Sequence, residues 1–533
     1  MTLKKNQNIY LLLVVVSICL HIPVSHEWIW DDDLLIRGNE SLHQTGFVWE
    51  LWFHDLWYGS LGDHPRHFYR PLVVLDFWLD LQFVSSPYFL KLHSLFWHMG
   101  CIVGMWFFLK DRMTPKQRMF VLFLPAIHPF SLEITQFIAA RNDAMAWCFS
   151  ILCGISLQHL HKKGMVFLSV FFAICSMFCK ENSILYLSFV GLYLFWEEPK
   201  KNHMNRFFLG SIGILIFYLC VRGLLGIPSP EIHVPSLDHI SRYMVCFVDV
   251  ESCPSALPPE NGIDYRGIGI LFVIVLWTIQ QRTFVLNLAT CFFMISVCLA
   301  SISAALSQGM AHRYVYGSLF LGGIILYGSW KDKISWYVGG FMVVMLIGTT
   351  LQYRNHWTST THVFDHAWSI RKNKRIACAL FKEFEKNKEY QQALFMLEFS
   401  LQNPPDPYCC LNASRFGMTI DSPEISIQFG TMGLQNGCMP TVEIYSPLSM
   451  SYLLTGDLQK AKELAERIID DPYNFQPLIW KTLSLMGEAT ETQPKFVLSE
   501  IEKKQMEERA GYIFERLQKK KNINELQENQ DRK

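Results

Sequence analysis

Charge is what this chain has least of: 18% of its 533 residues are charged, and 47 basic side chains balance 47 acidic ones to a formal net charge of zero. Soluble proteins carry roughly a quarter charged residues, so a soluble domain is not the expectation. The missing basic excess also excludes affinity built on a positive footprint, and no nucleic-acid partner is expected. A cleavage signal is lacking too. Lys4 and Lys5 precede an apolar run as they would in a secretory signal, yet no small-x-small site follows, and Pro23-Val24-Ser25-His26-Glu27 is a poor substitute. The run is expected to stay as a first helix.

What is present is apolar. Half of the residues are hydrophobic and 14% are aromatic, with a mean hydropathy of +0.17. After the run at 9–24, stretches of roughly spanning length follow at 88–109, 118–128, 144–160, 164–179, 183–196, 207–226, 267–280, 284–306, 313–330 and 334–352. Basic residues (Lys4, Lys5, Lys110, Arg112, Lys116, Arg118, Lys162, Lys163, Lys200, Lys201, Arg206, Arg282, Lys331 and Lys333) fall at every second boundary. By the positive-inside rule that face is cytoplasmic, which predicts about 11 spans in an all-α, polytopic membrane helix bundle. The segment 71–84 would spoil the alternation if it crossed. Asp76 and Asp80, four apart, share one helical face, so it is expected as an interfacial helix on the outer side.

Residues 1–352 thus form a transmembrane domain with outer loops 25–87 and 227–266 and a shorter outer turn at 128–143; from Tyr353 onward the chain is outside. Of 15 cysteines, Cys101, Cys148, Cys153 and Cys175 lie in spans as small apolar residues. Cys246, Cys253, Cys409, Cys410 and Cys438 lie in outer regions, where disulfides are permitted. Residues 353–498 read as a small extracytoplasmic tetratricopeptide-like domain. Lys388 to Ala393 with Pro404, and Gly456 to Ala465 with Pro472, fit that unit, and Ala393 to Ala461 spans 68 residues, twice its period. A degenerate unit is expected between them, at 425–440. Residues 499–533 read as a charged helix that frays into disorder at 522–533.

Polar groups collect near the outer boundary. Asp31, Asp32 and Asp33 follow the first apolar run beside Trp28 and Trp30, residues that favour the interface. Three adjacent carboxylates repel one another unless a cation compensates. Arg70, His128, Glu133, Arg141, Asp143, Lys180, Glu181 and Arg313 with Tyr314 fall on the same side in this topology. Guanidinium and ammonium groups hold a phosphate, while a carboxylate deprotonates an incoming hydroxyl, so the set suits transfer from a lipid phosphate. Singly, each has a structural reading: Arg70 snorkels to headgroups, Lys180 and Glu181 pair with neighbouring helices, and His128 is a buried, hydrogen-bonded histidine.

These residues carry a resemblance. Trp30-Asp31-Asp32-x-x-x-Ile36-x-x-Asn39 and Tyr69-Arg70-Pro71-Leu72 resemble the N-terminal half of the GT-C fold membrane glycosyltransferases. The chain is nearest to the polytopic O-mannosyltransferases that end in tetratricopeptide repeats, and to their bacterial relatives. His128-Pro129-x-x-x-Glu133, Ala140-Arg141-Asn142-Asp143, Lys180-Glu181-Asn182, Arg313-Tyr314-x-Tyr316 and Arg354-x-x-Trp357…Trp368 are similar to that family's segments, in the same order.

The resemblance implies that Asp31 or Asp32 is the catalytic acid/base, with Asp33 at a variable position. It implies that Glu133, Arg141 and Asp143 shape the acceptor or sugar site and that Arg70, Lys180 and Arg313 face the lipid phosphate; His128, Glu181 and Tyr314 complete the substrate-binding candidates. Ala140 replaces the family's glycine, His312 replaces its glutamate, and the repeat array is short. The implied activity moves mannose or a similar hexose from a polyprenyl-phosphate donor to a protein or glycan hydroxyl, at the lipid bilayer. It requires no metal or other cofactor, although hard oxygen ligands at the triplet would suit a divalent cation. The host membrane is a bacterial inner membrane, or the endoplasmic reticulum in a eukaryote. The rival expectation is a non-catalytic scaffold or transporter that recruits partners through its repeats. A transporter places ionisable groups at mid-membrane, whereas here they cluster at one face. Asn412-Ala413-Ser414 is a glycosylation sequon. A reporter fused after Lys533 is expected to be protected from cytosolic probes; cytosolic labelling would overturn the outer-face assignment.

Overall fold

A computed structural model describes residues 2–531 apart from 45–48, 61–67, 160–161, 163, 198–202, 228–236, 247–264, 282–288, 299–311, 330–332, 468–475 and 487–499. Among the described residues every regular element is a helix and no strand occurs. The chain divides into two compact units, residues 1–371 and 372–533. The division falls beyond the expected boundary at 352/353, because Trp357 and Val363 are buried in the first unit's core.

The apolar stretches of the first unit fold as helices, among them Thr2–His21, Pro87–Phe108, Pro115–Ile127, Arg141–Gln158, Met165–Cys179, Ser183–Glu197, His203–Leu224, Tyr316–Ser329 and Lys333–Arg354. Local chemistry sets their starts. Pro71, Pro87 and Pro115 open their helices at positions where a missing N–H costs nothing. Thr114 and Gln117 close a capping box on the last of these. At the other end of that helix, His128-Pro129 turns the chain by 63° into the short helix Phe130–Gln136. The His128 ring secures the bend, accepting the Phe130 N–H through Nδ1 at 3.2 Å.

Arg141–Gln158 is the central helix: it packs on Met165–Cys179, Pro87–Phe108 and Ser183–Glu197. Tyr316–Ser329 packs on Pro115–Ile127 so closely that a Cβ on Gly323 would collide with the Val121 carbonyl. Among the described residues no single helix is long and apolar enough to cross a membrane; the bent pair Pro115–Ile127 and Phe130–Gln136 passes that test together. The expected interfacial segment is the helix Pro71–Phe83. Loop 227–266 contains the helix Leu237–Cys246; Cys246 is disulfide-bonded, and Cys253 lies outside the described residues.

In the second unit, Lys374–Lys386 pairs with Tyr390–Ser400, and Val442–Thr455 pairs with Leu458–Glu466. The two hairpins turn at equivalent positions, Lys388 and Gly456, with φ of 63° and 95°. Ala393 and Ala461 are wholly buried behind those turns, where a larger side chain would hold the helices apart. Pro423–Asn436 occupies the region expected to be degenerate, and Pro472 lies outside the described residues. The final helix, Glu500–Asp531, continues through the region expected to be disordered, as a Lys/Glu/Gln-rich run permits. Disulfides join Cys378 to Cys409 and Cys410 to Cys438. Replacing Cys438 by Ser is expected to cost the unit about 2–4 kcal/mol and to lower its unfolding temperature, and non-reducing peptide mapping should recover both linkages.

Candidate functional site

The first helix ends before Pro23, which disfavours helical geometry in the residue ahead of it. The extended segment that follows is tied down at successive points. Gln136 donates to the His21 carbonyl at 2.9 Å and accepts from Val24 N–H at 3.2 Å. The buried Lys91 ammonium donates to the carbonyls of Glu27 and Ser25 at 2.7 and 3.3 Å. Thr360 Oγ1 accepts the Trp30 N–H at 2.8 Å and donates to the Trp28 carbonyl at 3.4 Å. Trp30 itself takes a left-handed backbone with φ of 53°, a conformation that costs a bulky residue about 1–3 kcal/mol. Its ring is stacked on Phe137 and meets Phe364 edge-on, which fixes the turn that presents the aspartates.

The three aspartates then stand in three environments. Asp32 is fully buried, and its oxygens accept the N–H groups of Ala139 and Ile138 at 2.7 and 3.1 Å. Burial pushes its carboxyl up to about 7, against the opposing pull of the Ala139 N–H and the Lys91 charge. Asp31 is half-buried. Asp33 pairs at 2.8 Å with the exposed Arg37, its own helical neighbour. Asp32 is thus committed to backbone N–H groups and Asp33 to Arg37.

Ile138–Ala140, the turn that Asp32 holds, leads directly into Arg141–Gln158. Arg141 is wholly buried. Its Nη1 lies 2.5 Å from both Asp76 and Asp80, Nε donates to Ser94 at 3.0 Å, and Nη2 donates to the Leu90 carbonyl at 2.5 Å. Asp76, Asp80 and His93 bring ligand atoms within 4.8 Å of one another, as a metal would require. The Arg141 guanidinium already fills that place with positive charge, so those residues do not fit a cation as well.

Two residues on, Asp143 forms a closed ion pair with Lys180, which sits in the break between Met165–Cys179 and Ser183–Glu197. Burial pushes the Asp143 carboxyl up against the pull of Lys180. Burial likewise pushes the Lys180 ammonium down to about 8, although Asp143 acts to raise it. Arg70, ahead of Pro71–Phe83, donates to Glu181 at 3.0 and 3.3 Å. Arg313 pairs with the buried Glu133 at 2.9 Å and lies over the rings of Phe137 and Trp30, 5.0 and 5.7 Å from their centroids. Arg70 and Arg313 both act on the Asp143 carboxylate.

Of the sequence-derived candidates, Arg70, Glu133, Arg141, Asp143, Lys180, Glu181 and Arg313 stand in ion pairs within the first unit, while Asp32 is bound to backbone N–H groups. His128 is a buried ring serving the bend at Pro129. Tyr314 belongs to the turn His312–Val315, and its side chain lies outside the described residues. Sequence reasoning missed Lys91, Arg222 and the partnership of Asp76 and Asp80 with Arg141. Lys91 and Arg222 carried a usable signal, since an ionisable residue inside an apolar stretch is itself a pointer to function.

Part of the chain is similar to three curated proteins. Protein O-mannosyl-transferase TMTC4 of Homo sapiens is 24% identical over 206 residues, 34% of this chain and 28% of that protein. Its namesake in Mus musculus is 23% identical over 204 residues, 33% and 28% of the two chains. Protein O-mannosyl-transferase Tmtc1 of Drosophila melanogaster is 28% identical over 193 residues, 35% and 22% of the two. The match spans less than a third of each relative's length. No protein-family model and no solved structure matches the chain.

Removing one partner of a buried network leaves the others charged and dry. Arg141→Leu is expected to lower stability by about 3–5 kcal/mol, measured by unfolding in detergent. Arg141→Lys should recover only part of that, because one ammonium cannot reach all four acceptors.

Proposed function

We propose that this chain is an integral-membrane glycosyltransferase that moves mannose or a similar hexose from a polyprenyl-phosphate donor to a protein or glycan hydroxyl on the extracytoplasmic face. One observation carries the reading: Arg313 lies over Trp30, the residue preceding the half-buried Asp31, and acts on Asp143 together with Lys180 and Arg70. A base and a group of phosphate-binding cations therefore belong to one network. The relatives' names point to the same reaction class.

In this reading the acceptor hydroxyl attacks C1 of the sugar and the C1–O bond to the phosphate breaks. The bond's electrons leave with the polyprenyl phosphate, and the hydroxyl proton passes to Asp31. The configuration at C1 inverts. Arg70 holds the departing phosphate, and Lys180 and Arg313 add positive charge behind it. Asp32 is assigned a positioning role: it keeps the turn into Arg141 and Asp143 in register with the loop bearing Asp31. No step needs a metal or other cofactor.

Membrane residence is supported by the apolar side chains that the helices leave uncovered, including Leu11, Leu12, Phe96, Phe167, Phe171, Leu224, Phe272 and Val344. Uncovered apolar side chains on several successive helices suit a lipid solvent. An outer position for the second unit is supported by its two disulfides, which persist in oxidising compartments. Its helical hairpins would serve as a tetratricopeptide-like platform for a polypeptide acceptor.

Asp31→Asn is expected to lower transfer by roughly 10²–10⁴-fold with an unchanged unfolding temperature. Asp32→Asn is expected to lower both, because its amide would set an N–H against a backbone N–H. Asp32 is neutral below about 7 and accepts both N–H groups only when ionised, so transfer should fall as pH is lowered through that value. Full transfer by purified Asp31→Asn protein, with a polyprenyl-phosphate mannose donor, would sink the assignment.

A further inference from the structure

Arg70, which the proposed reaction needs as a free cation, is already occupied by Glu181. Its Nε and Nη2 donate to a single oxygen of that residue, Oε2, at 3.3 and 3.0 Å. The second oxygen, Oε1, is enclosed and has no hydrogen-bond partner among the described residues. Beside the pair lies the Tyr218 hydroxyl, which takes a hydrogen bond from Arg222, donates to the Tyr69 carbonyl at 3.2 Å, and feels Glu181, Arg222 and Arg70 together. Glu181 thus pairs with Arg70, ahead of Pro71–Phe83, and shares the surroundings of the Tyr218 hydroxyl with Arg222 on His203–Leu224.

Exposure separates this pair from its neighbours. The side chains of Asp143 and Glu133 are 0% exposed in their pairs, whereas Glu181 is 27% exposed. The carboxylate that can leave without unpacking the core is Glu181. A phosphate diester matches it in charge, carrying one negative charge, and offers Arg70 two acceptor oxygens for its fork where Glu181 gives one.

We propose that Glu181 is a built-in stand-in for the donor phosphate. It neutralises Arg70 in the free protein, is displaced by the phosphodiester of the incoming polyprenyl-phosphate sugar, and returns to drive out the product. Entry exchanges one monoanion for another. Release differs, because the polyprenyl phosphate left after transfer is a monoester whose second ionisation lies near pH 6. The added negative charge tightens the hold of the cations, so release depends on Glu181 returning to compete for Arg70. This inference rests on the donor reading given above.

The test uses the purified full-length chain and two probes, a short polyprenyl phosphate and the uncharged polyprenol of equal length. Glu181→Gln is expected to bind the phosphate roughly tenfold more tightly with no change toward the polyprenol, since a competing charge has been removed from a contact held at low dielectric. In turnover it should show a lower donor KM and a lower kcat, with release slowed. The gain should vanish in the Arg70→Gln, Glu181→Gln double variant. Glu181→Asp, which keeps the charge but draws it back from Arg70, should move affinity in the same direction by less. A pair that is only structural gives the opposite sign: weaker binding and a lower unfolding temperature. That outcome, or unchanged affinity in both variants, overturns the inference. Wild-type protein that does not distinguish the phosphate from the polyprenol instead overturns the donor reading.

Discussion

The Asp32 carboxylate joins two parts of the chain that are more than a hundred residues apart, accepting the N–H groups of Ile138 and Ala139. Two polar segments of the first unit meet at that junction. On one side is the strained turn at Trp30 with Asp31; on the other, Arg141 and Asp143 open the central helix. A buried carboxylate would ordinarily be expelled or neutralised, and burial does move Asp32 toward neutrality. Two backbone donors and the nearby Lys91 keep it within reach of ionisation near physiological pH. The same residue is thereby a structural clasp and a titrating group.

The ion pairs around that junction are costly as stability elements, because desolvating each charge takes back much of the Coulombic gain. Their arrangement makes better sense as placement. Arg141 is saturated by Asp76, Asp80, Ser94 and the Leu90 carbonyl, so it fixes the Pro71–Phe83 and Pro87–Phe108 helices against the central one. Lys180 and Asp143 pin the break between two helices to the same element. With those two pairs closed, the groups nearer the solvent include Asp31, Asp33, Glu181 beside Arg70, and Arg313. A rigid polar floor thus carries a few more accessible groups.

Much of the helical layout was legible from residue pattern alone. The proline-led starts at Pro71, Pro87 and Pro115, the apolar stretches and the His128-Pro129 bend are local features, and each coincides with an element boundary. The polar residues singled out from the sequence do gather in one unit. What pattern could not supply is who pairs with whom. Asp76 and Asp80 were visible as one helical face, yet their partner Arg141 lies some sixty residues away. Residue pattern set only Asp33 apart; Asp31 and Asp32 looked equivalent because burial is a property of the fold, and the packed structure distinguishes the buried Asp32 from the half-buried Asp31. Lys91, passed over inside the apolar stretch 88–109, braces the loop before the aspartates through two peptide carbonyls.

In the second unit, two neighbouring residues, Cys409 and Cys410, belong to different disulfides. Four cysteines admit three pairings, and exchanging these two partners needs a shift of only one residue. The oxidised covalent structure is therefore not self-specifying: the helices must dock before the correct bridges are favoured, and a premature bond would trap the wrong register. Thiol–disulfide exchange, a thiolate attacking the wrong bridge, would be the chemical route by which such a mistake is undone.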